Sequence, residues 1–245
     1  MSRMTRAWRY LLASSLGILG CSPSVPIPGV VRPGPGEELS SLPGPMPGFG
    51  PYDSFSDALN AACPLILSKP NATVGYLKEQ NPELAWRLST EYCAWLYYTP
   101  DHQYELSMLT DQSESDDLVT KRKSCKLPAF VDDRRYPASS LKYIFALHNH
   151  PFASRLSMRD LRFIVDMANA HEWVVETQAG PVPIAIIAFF SNSRDGEHPT
   201  CDGFYQYIPG TRELLQWSLT AGTWQREKLG MVTWISETKV IIQKE

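Results

Sequence analysis

The chain has 245 residues, of which 43% are hydrophobic, and its 23 Lys+Arg against 26 Asp+Glu give a formal net charge of −3. This length supports one domain with a sizeable core. The acidic balance, with no basic cluster beyond residues 121–123, argues against nucleic acid as a partner.

The first 20 residues are typical of an export signal. Arg3, Arg6 and Arg9 precede a short apolar run, "YLLASSLGIL". This run is too short to span a membrane as a helical anchor. The ending "ILGC" resembles the lipobox of bacterial lipoproteins, in which the chain is cut before the cysteine and the cysteine is lipidated. The resemblance implies a lipid anchor at Cys21. It also implies an exported lipoprotein of a bacterial cell envelope, at the outer membrane or the periplasmic side. An ordinary signal peptide is the alternative.

Residues 21–51 are predicted to form a disordered or polyproline-like tether. Nine prolines and six glycines occupy residues 22–51. Such a composition buries too little apolar surface to offset the entropy lost on ordering. The folded domain is therefore expected to begin near Tyr52 and to span residues 52–245.

Four cysteines remain after Cys21, and an even number in an exported protein predicts two disulfides. They are Cys63, Cys93, Cys125 and Cys201. Three pairings are possible, and their spacing does not select among them. The spacing is also unlike that of a zinc knuckle.

The first half of the domain alternates helix and strand signals. Ser54 or Ser56 is expected to cap a helix over "ALNAA", which Pro64 should end or kink. A second short helix is predicted over residues 81–89, with Asn81 as its N-cap. Residues 91–99 and 104–110 read as a β-hairpin, and residues 111–139 as a long polar loop.

The second half predicts a buried sheet. Residues 141–150, "LKYIFALHNH", suit a strand buried on both faces, and an amphipathic helix should follow over residues 158–171. Two strands, "EWVVETQ" and "VPIAIIAFF", precede a C-terminal third that reads as β-hairpins. The element order predicts an α/β or α+β domain around a mixed sheet.

The end of the 141–150 strand carries the chemistry. His148 and His150 should point to one face and Asn149 to the other, while Pro151 stops the strand. Ser157 and Asp160 have the spacing of a capping box, which would place a carboxylate beside the histidines. Two histidines and one aspartate with a free fourth position suit a catalytic zinc ion. The alternatives are an ordinary capping box and packed histidines.

The stretch "HNHPFASRLSMRD" resembles the signature of the JAMM (JAB1/MPN/Mov34) metallopeptidases: a distant Glu, then His-x-His-Pro, then Ser-x-x-Asp. Here the spacing between His150 and Asp160 is one residue shorter than is common in that family. The resemblance implies a JAB/MPN-like mixed sheet flanked by helices, and Zn²⁺ bound by His148, His150 and Asp160.

The same resemblance implies a glutamate that acts on water, on a strand well before the histidines. Glu91 is the first candidate and Glu105 the second, with Glu79 and Glu83 behind them. Ser157 is expected to stabilise the oxyanion. His171 is expected to be structural, His102 to lie in a hairpin loop and His198 in a Gly/Pro-rich turn.

The predicted function is a zinc-dependent peptidase or isopeptidase that hydrolyses an amide bond in a peptide or protein substrate. The alternative is a non-catalytic JAB-like scaffold of the cell envelope, for which the aromatic-rich C-terminal third leaves room. A metal-dependent nuclease is a third reading. The literal "HNH" does not have that motif's spacing, and the acidic charge disfavours it.

Overall fold

The computed structural model describes residues 26–34, 36–112, 123–236 and 239–244. The predicted signal and Cys21 lie outside the described residues. Mixed α and β structure is present, and strands predominate. The helices are α1 (Phe55–Leu67), α2 (Leu77–Gln80), α3 (Pro82–Leu88) and α4 (Met158–Ala170), with a 3₁₀ turn at Ala138–Ser140.

The strands form one large mixed sheet and two small ribbons. They are β1 (Val30–Val31), β2 (Ser41–Gly44), β3 (Cys93–Tyr98), β4 (Tyr104–Leu106), β5 (Leu109–Thr110), β6 (Phe130–Asp133), β7 (Lys142–Asn149), β8 (Val174–Thr177), β9 (Gly180–Pro183), β10 (Ala185–Phe190), β11 (Gly203–Ile208), β12 (Glu213–Thr220), β13 (Thr223–Ser236) and β14 (Lys239–Gln243). Among the described residues, the large sheet runs β1-β5-β3-β7-β10-β11-β12-β13-β14, and β4 pairs with β3. Strands β2 and β6 form one ribbon, β8 and β9 the other.

Strand β7 lies at the centre of this sheet, antiparallel to β3 and parallel to β10. Its side chains are divided between two core clusters. Phe145 and Leu147 belong to the cluster that contains the buried side of α1, whereas Ala146 belongs to the cluster that contains Leu161 of α4. Both faces of β7 are therefore buried, which explains its almost continuous apolar sequence.

The prediction of a disordered tether is wrong for the described part of residues 21–51. Strand β1 pairs with β5, and β2 pairs with β6. Leu42, Met46 and Phe49 are buried in the core. The high Pro and Gly content concealed these three large apolar side chains. Their burial holds the extended backbone against the domain. Pairing with β6 also gives structure to a part of residues 111–139, which had been predicted as loop.

Helix α1 continues beyond Pro64 to Leu67. The predicted N-cap is present, because the Ser54 side chain accepts a hydrogen bond from the Asp57 amide. Ile66 and Leu67 lie in the core after the proline. Their burial offsets the helix hydrogen bond that proline cannot donate.

Two disulfides are present among the described residues, as the cysteine count predicted. They join Cys63 to Cys201 and Cys93 to Cys125. The first connects α1 to the segment just before β11, and the second ties the start of β3 to the segment before β6. Disulfides are consistent with an exported protein. In the part of the chain that the structure describes, no helix has the length and hydropathy needed to cross a bilayer.

A buried ionic cluster lies at the far end of β3 from the histidines. Asp133 is 2% exposed, accepts a hydrogen bond from the Tyr97 hydroxyl at 2.9 Å and is paired with Arg135. Arg135 also pairs with Glu105. Burial raises the pKa of Asp133, but the hydrogen bonds from Arg135 and Tyr97 outweigh it and leave the pKa below its usual value.

We expect Asp133→Asn to lower the free energy of unfolding by about 1–3 kcal/mol at pH 7, because it removes a buried charge-assisted acceptor. Since the folded pKa of Asp133 is depressed, this contribution is fully present above the unfolded pKa of about 3.9 and is lost as the pH falls from there through the folded pKa. Urea unfolding at pH 7, 4 and 2.5 should show the gap between wild type and variant closing. The exposed neighbour Asp132→Asn is the control and should change stability little at any pH. A gap that widens in acid would contradict the assignment.

Candidate metal centre

His148 lies in β7 and His150 just after its last residue. Their side chains point to the same face, as strand alternation requires. On either side of His148, β3 and β10 place small residues, Cys93 and Ala188, at the paired positions. These leave room for an imidazole inside the core. His148 is 3% and His150 5% exposed, so both rings are withdrawn from bulk water.

Asp160 reaches the same point from the first turn of α4. The Ser157 side chain caps the helix by accepting from the Asp160 amide at 3.3 Å, and the Asp160 Oδ2 accepts from the Ser157 amide at 2.6 Å. This reciprocal capping box was predicted from the Ser-x-x-Asp spacing. It fixes the carboxylate beside the end of β7.

Three potential ligand atoms converge in this way. The two imidazole Nε2 atoms are 3.0 Å apart. Asp160 Oδ1 lies 3.7 Å from His148 Nε2, and Oδ2 lies 3.6 Å from His150 Nε2. Tetrahedral coordination with bonds of about 2.0–2.2 Å separates ligand atoms by about 3.3–3.6 Å. The Asp160–histidine distances lie near this range, whereas the two imidazole nitrogens are closer together. The buried His148–His150–Asp160 group therefore has the ligand types and the proximity to hold a metal ion.

Backbone groups interact with both imidazoles. His150 Nδ1 contacts the carbonyl oxygen of Ser154 at 2.5 Å, and a backbone hydrogen bond with Ile187 favours the protonated form of His148. The contact at Nδ1 leaves Nε2 of His150 available for a metal. The sequence gives no signal for either contact, because a backbone group can be supplied by any type of residue.

The electrostatics of the group favour an ionised carboxylate. Burial raises the pKa of Asp160, but the two histidines and the Ser157 amide outweigh it and hold the pKa well below its usual range. Burial lowers the pKa of His148 to about 4. Burial also lowers the pKa of His150, but Asp160 and Glu91 outweigh it and raise the pKa to about 9.

Glu91 lies beside this group, just before β3 begins. It interacts electrostatically with His150 and Asp160, and burial raises its pKa to about 8. Two cavities, of about 140 and 730 Å³, meet at the group, and both are lined by Glu91 and Asp160. A carboxyl group thus faces the space next to the candidate ligands.

Asn149 points away from the histidines and fixes the backbone around Glu91. Its Oδ1 accepts from the Tyr92 amide at 2.7 Å, and its Nδ2 donates to the Thr90 carbonyl at 3.0 Å and the Ala72 carbonyl at 2.7 Å. The residues before and after Glu91 are therefore held by one fully buried side chain. The sequence indicated a structural residue here, but not this connection to Glu91.

The other candidate glutamates lie elsewhere. Glu105 is buried on β4, where it pairs with Arg135 and lies opposite Tyr97 at the other end of β3. Glu83 pairs with Arg87 on the surface of α3, and Glu79 is exposed. Glu91 is the one that the structure brings beside the histidines.

Ser157 and the remaining histidines have distinct settings. Ser157 lines the larger cavity with His150 and Asp160. His171 stacks on Tyr143 at 4.0 Å and contacts the Ala129 carbonyl through Nε2. His102 contacts the Tyr98 hydroxyl in a turn, and the exposed His198 pairs with Asp195.

Comparisons with known proteins assign no family to this chain. No protein-family model matches it, and the searches of curated proteins and of solved structures found no match. What the candidate site can do therefore follows from its own residues and their geometry.

We expect the purified domain to bind one Zn²⁺, used here as the probe ion, and to lose affinity more than about 100-fold in His148→Ala and in Asp160→Asn. Removing a ligand should cost more than the about 10–100-fold that is typical when a residue hydrogen-bonded to a ligand is changed. Metal analysis after dialysis and a competition titration with a chromogenic chelator would measure this.

The matched control is His198→Ala, which removes an exposed imidazole and should bind Zn²⁺ like the wild type. Thermal melts in excess chelator separate loss of the site from loss of the fold. Equal Zn²⁺ binding by wild type and both site variants would refute the assignment.

Proposed function

We propose that the chain is a zinc-dependent peptidase or isopeptidase, with His148, His150 and Asp160 as zinc ligands and Glu91 as general acid–base. One observation carries the proposal: three potential ligand atoms lie within 4.8 Å of one another, and a half-buried glutamate with a raised pKa, Glu91, shares with Asp160 the walls of both adjoining cavities. Catalytic zinc sites combine three protein ligands with one open position in this way. The resemblance to the JAMM signature names the same residues.

Zinc at such a site supplies a lowered pKa for water and polarises the substrate carbonyl. The nearby positive charge also favours the ionised form of the Glu91 carboxylate. Glu91 would then accept a proton from the attacking water.

The same carboxyl group would give that proton to the nitrogen of the leaving amine. One water is consumed, its oxygen forms a bond to the carbonyl carbon, and the C–N bond breaks to give a carboxylic acid and an amine. A carboxyl group with a pKa near neutrality can hold a proton between the two transfers.

Ser157 is proposed to donate to the carbonyl oxygen as it becomes negative. Its hydroxyl oxygen already accepts the capping hydrogen bond from the Asp160 amide. A serine hydroxyl that accepts one hydrogen bond retains its own hydrogen for donation. The cap would thus orient a donor at the edge of the larger cavity.

We expect Glu91→Gln to keep its bound zinc but to cleave peptides at least 100-fold more slowly, because it cannot accept the proton. Cleavage of a mixed peptide library, followed by mass spectrometry, gives the rate without a known substrate. Glu105→Gln is the matched control: it should lose stability through its Arg135 contact but keep its cleavage rate. Chelator-insensitive cleavage, or an unimpaired Glu91→Gln, would contradict the mechanism. A zinc-loaded wild type that cleaves nothing would favour the scaffold instead.

We also expect Asn149→Ala to retain zinc, with kcat reduced about 10-fold or more and KM little changed, because Glu91 loses its backbone support. Tyr92→Phe is the control. It removes the Tyr92 hydroxyl contact with the Pro70 carbonyl from the same segment but leaves the Asn149 hydrogen bonds intact. If both variants lose the same stability and the same kcat, Asn149 does not act through Glu91.

A further inference from the structure

The smaller of the two cavities is mostly apolar, although it opens onto the candidate metal ligands. It has a volume of about 140 Å³. We call it the apolar recess; its apolar walls come from Cys93, Leu127, Ala146, Phe163 and Ile186. His148, Asp160 and Glu91 line the same space. The recess thus begins where the proposed chemistry takes place.

Strand register explains why a space exists here. Ala146 lies two residues before His148 on β7 and therefore shares its face. Its paired neighbours are Trp95 on β3 and Ile186 on β10. The small side chain of Ala146 leaves a space beside Ile186, and Phe163 of α4 lines that space without filling it.

The polar side chains at the outer wall of the recess, away from the candidate ligands, are engaged with each other or with neighbours. Arg159 donates to the Ser124 hydroxyl at 2.8 Å, and Lys126 pairs with Glu38 at 2.6 Å. The Cys93–Cys125 disulfide fixes this wall to β3. The recess is therefore built to receive apolar rather than charged groups.

We propose that the apolar recess binds a leucine- or phenylalanine-sized side chain of the substrate, next to the bond that is cleaved. This inference rests on the proposed peptidase function and adds a substrate class to it. A cavity of about 150 Å³ lined by Leu, Ile and Phe holds a benzene ring, so the recess has the right size. Burial of an apolar side chain there is favourable in proportion to the area removed from water.

Adjacency to Glu91 and the ligands sets the position of this residue. A side chain in the recess places its own backbone at the metal group, within reach of the proton-transfer carboxyl. The rest of the substrate extends into the larger cavity, which Glu91 and Asp160 also line. Selectivity is thus expected at the residue that flanks the scissile bond.

The test uses the zinc-loaded protein and a peptide series that differs at one position, Gly, Ala, Leu, Phe or Trp. We expect wild type to cleave the Leu and Phe peptides with a kcat/KM at least about 10-fold above that of the Gly peptide, since single methylene differences give about 10–200-fold. Ala146→Leu fills the recess and should lower kcat/KM for the Leu and Phe peptides at least about 10-fold, which removes this preference.

Two further variants keep the test decisive. Phe163→Ala, at a half-buried position, should widen the recess and move the preference toward Trp, so the result does not depend on Ala146→Leu folding. Ala138→Leu, at an exposed position of the 3₁₀ turn, makes the same substitution outside the recess and should leave the preference unchanged.

A binding measurement separates this inference from the proposed function. In saturation-transfer NMR, the zinc-free domain should bind N-acetyl-leucinamide at least about 10-fold more tightly than N-acetylglycinamide, and Phe163→Ala should alter this ratio. Selective binding without cleavage would overturn the peptidase function and keep the recess as a binding site. Cleavage with equal rates across the series, or no difference in binding, would overturn the inference.

Discussion

The capping box at the start of α4 is the interaction on which the candidate site depends. The Asp160 carboxylate accepts a hydrogen bond from the Ser157 amide and faces both imidazoles. A free aspartate on a loop would have to lose its rotamer freedom to bind a metal. Here helix formation has already restricted it, and the short loop from Pro151 to Leu156 sets the helix start beside the strand end. The helix cap thus orients the Asp160 side chain toward the histidines at the end of the neighbouring strand.

Strand β7 supplies the second half of the site through its two faces. On one face His148 and His150 approach Asp160, and on the other Asn149 holds the backbone around Glu91. The ligands and the proposed proton carrier are thus connected through three consecutive residues. Because β7 is buried between β3 and β10, this connection is stiff. A shift in strand register would move every one of these side chains to the wrong face.

Particular residues show how far sequence reasoning reaches. The alternation of a strand was enough to put both histidines on one face, and Ser-x-x-Asp was enough to predict the cap. The pairing of cysteines was beyond it, because chain separation does not determine which thiols approach. The sequence also did not decide between Glu91 and Glu105 as the glutamate beside the histidines, because the sequence contexts of both suit a strand. Only the fold places one beside His150 and the other in an ion pair with Arg135.

Composition misled the prediction at residues 36–51, where proline and glycine suggested disorder. Three apolar side chains there find buried positions that exist only once β6 and the core have formed. The sequence by itself determined the local features: the strand with its paired histidines, the capped helix after it, and an even number of cysteines. The tertiary structure alone decided which distant segments meet, namely Glu91 with the histidines, Cys93 with Cys125, and Ala146 with the gap beside it. The physical reason is that local preferences depend on neighbouring residues, whereas these meetings depend on how the whole chain buries its apolar surface.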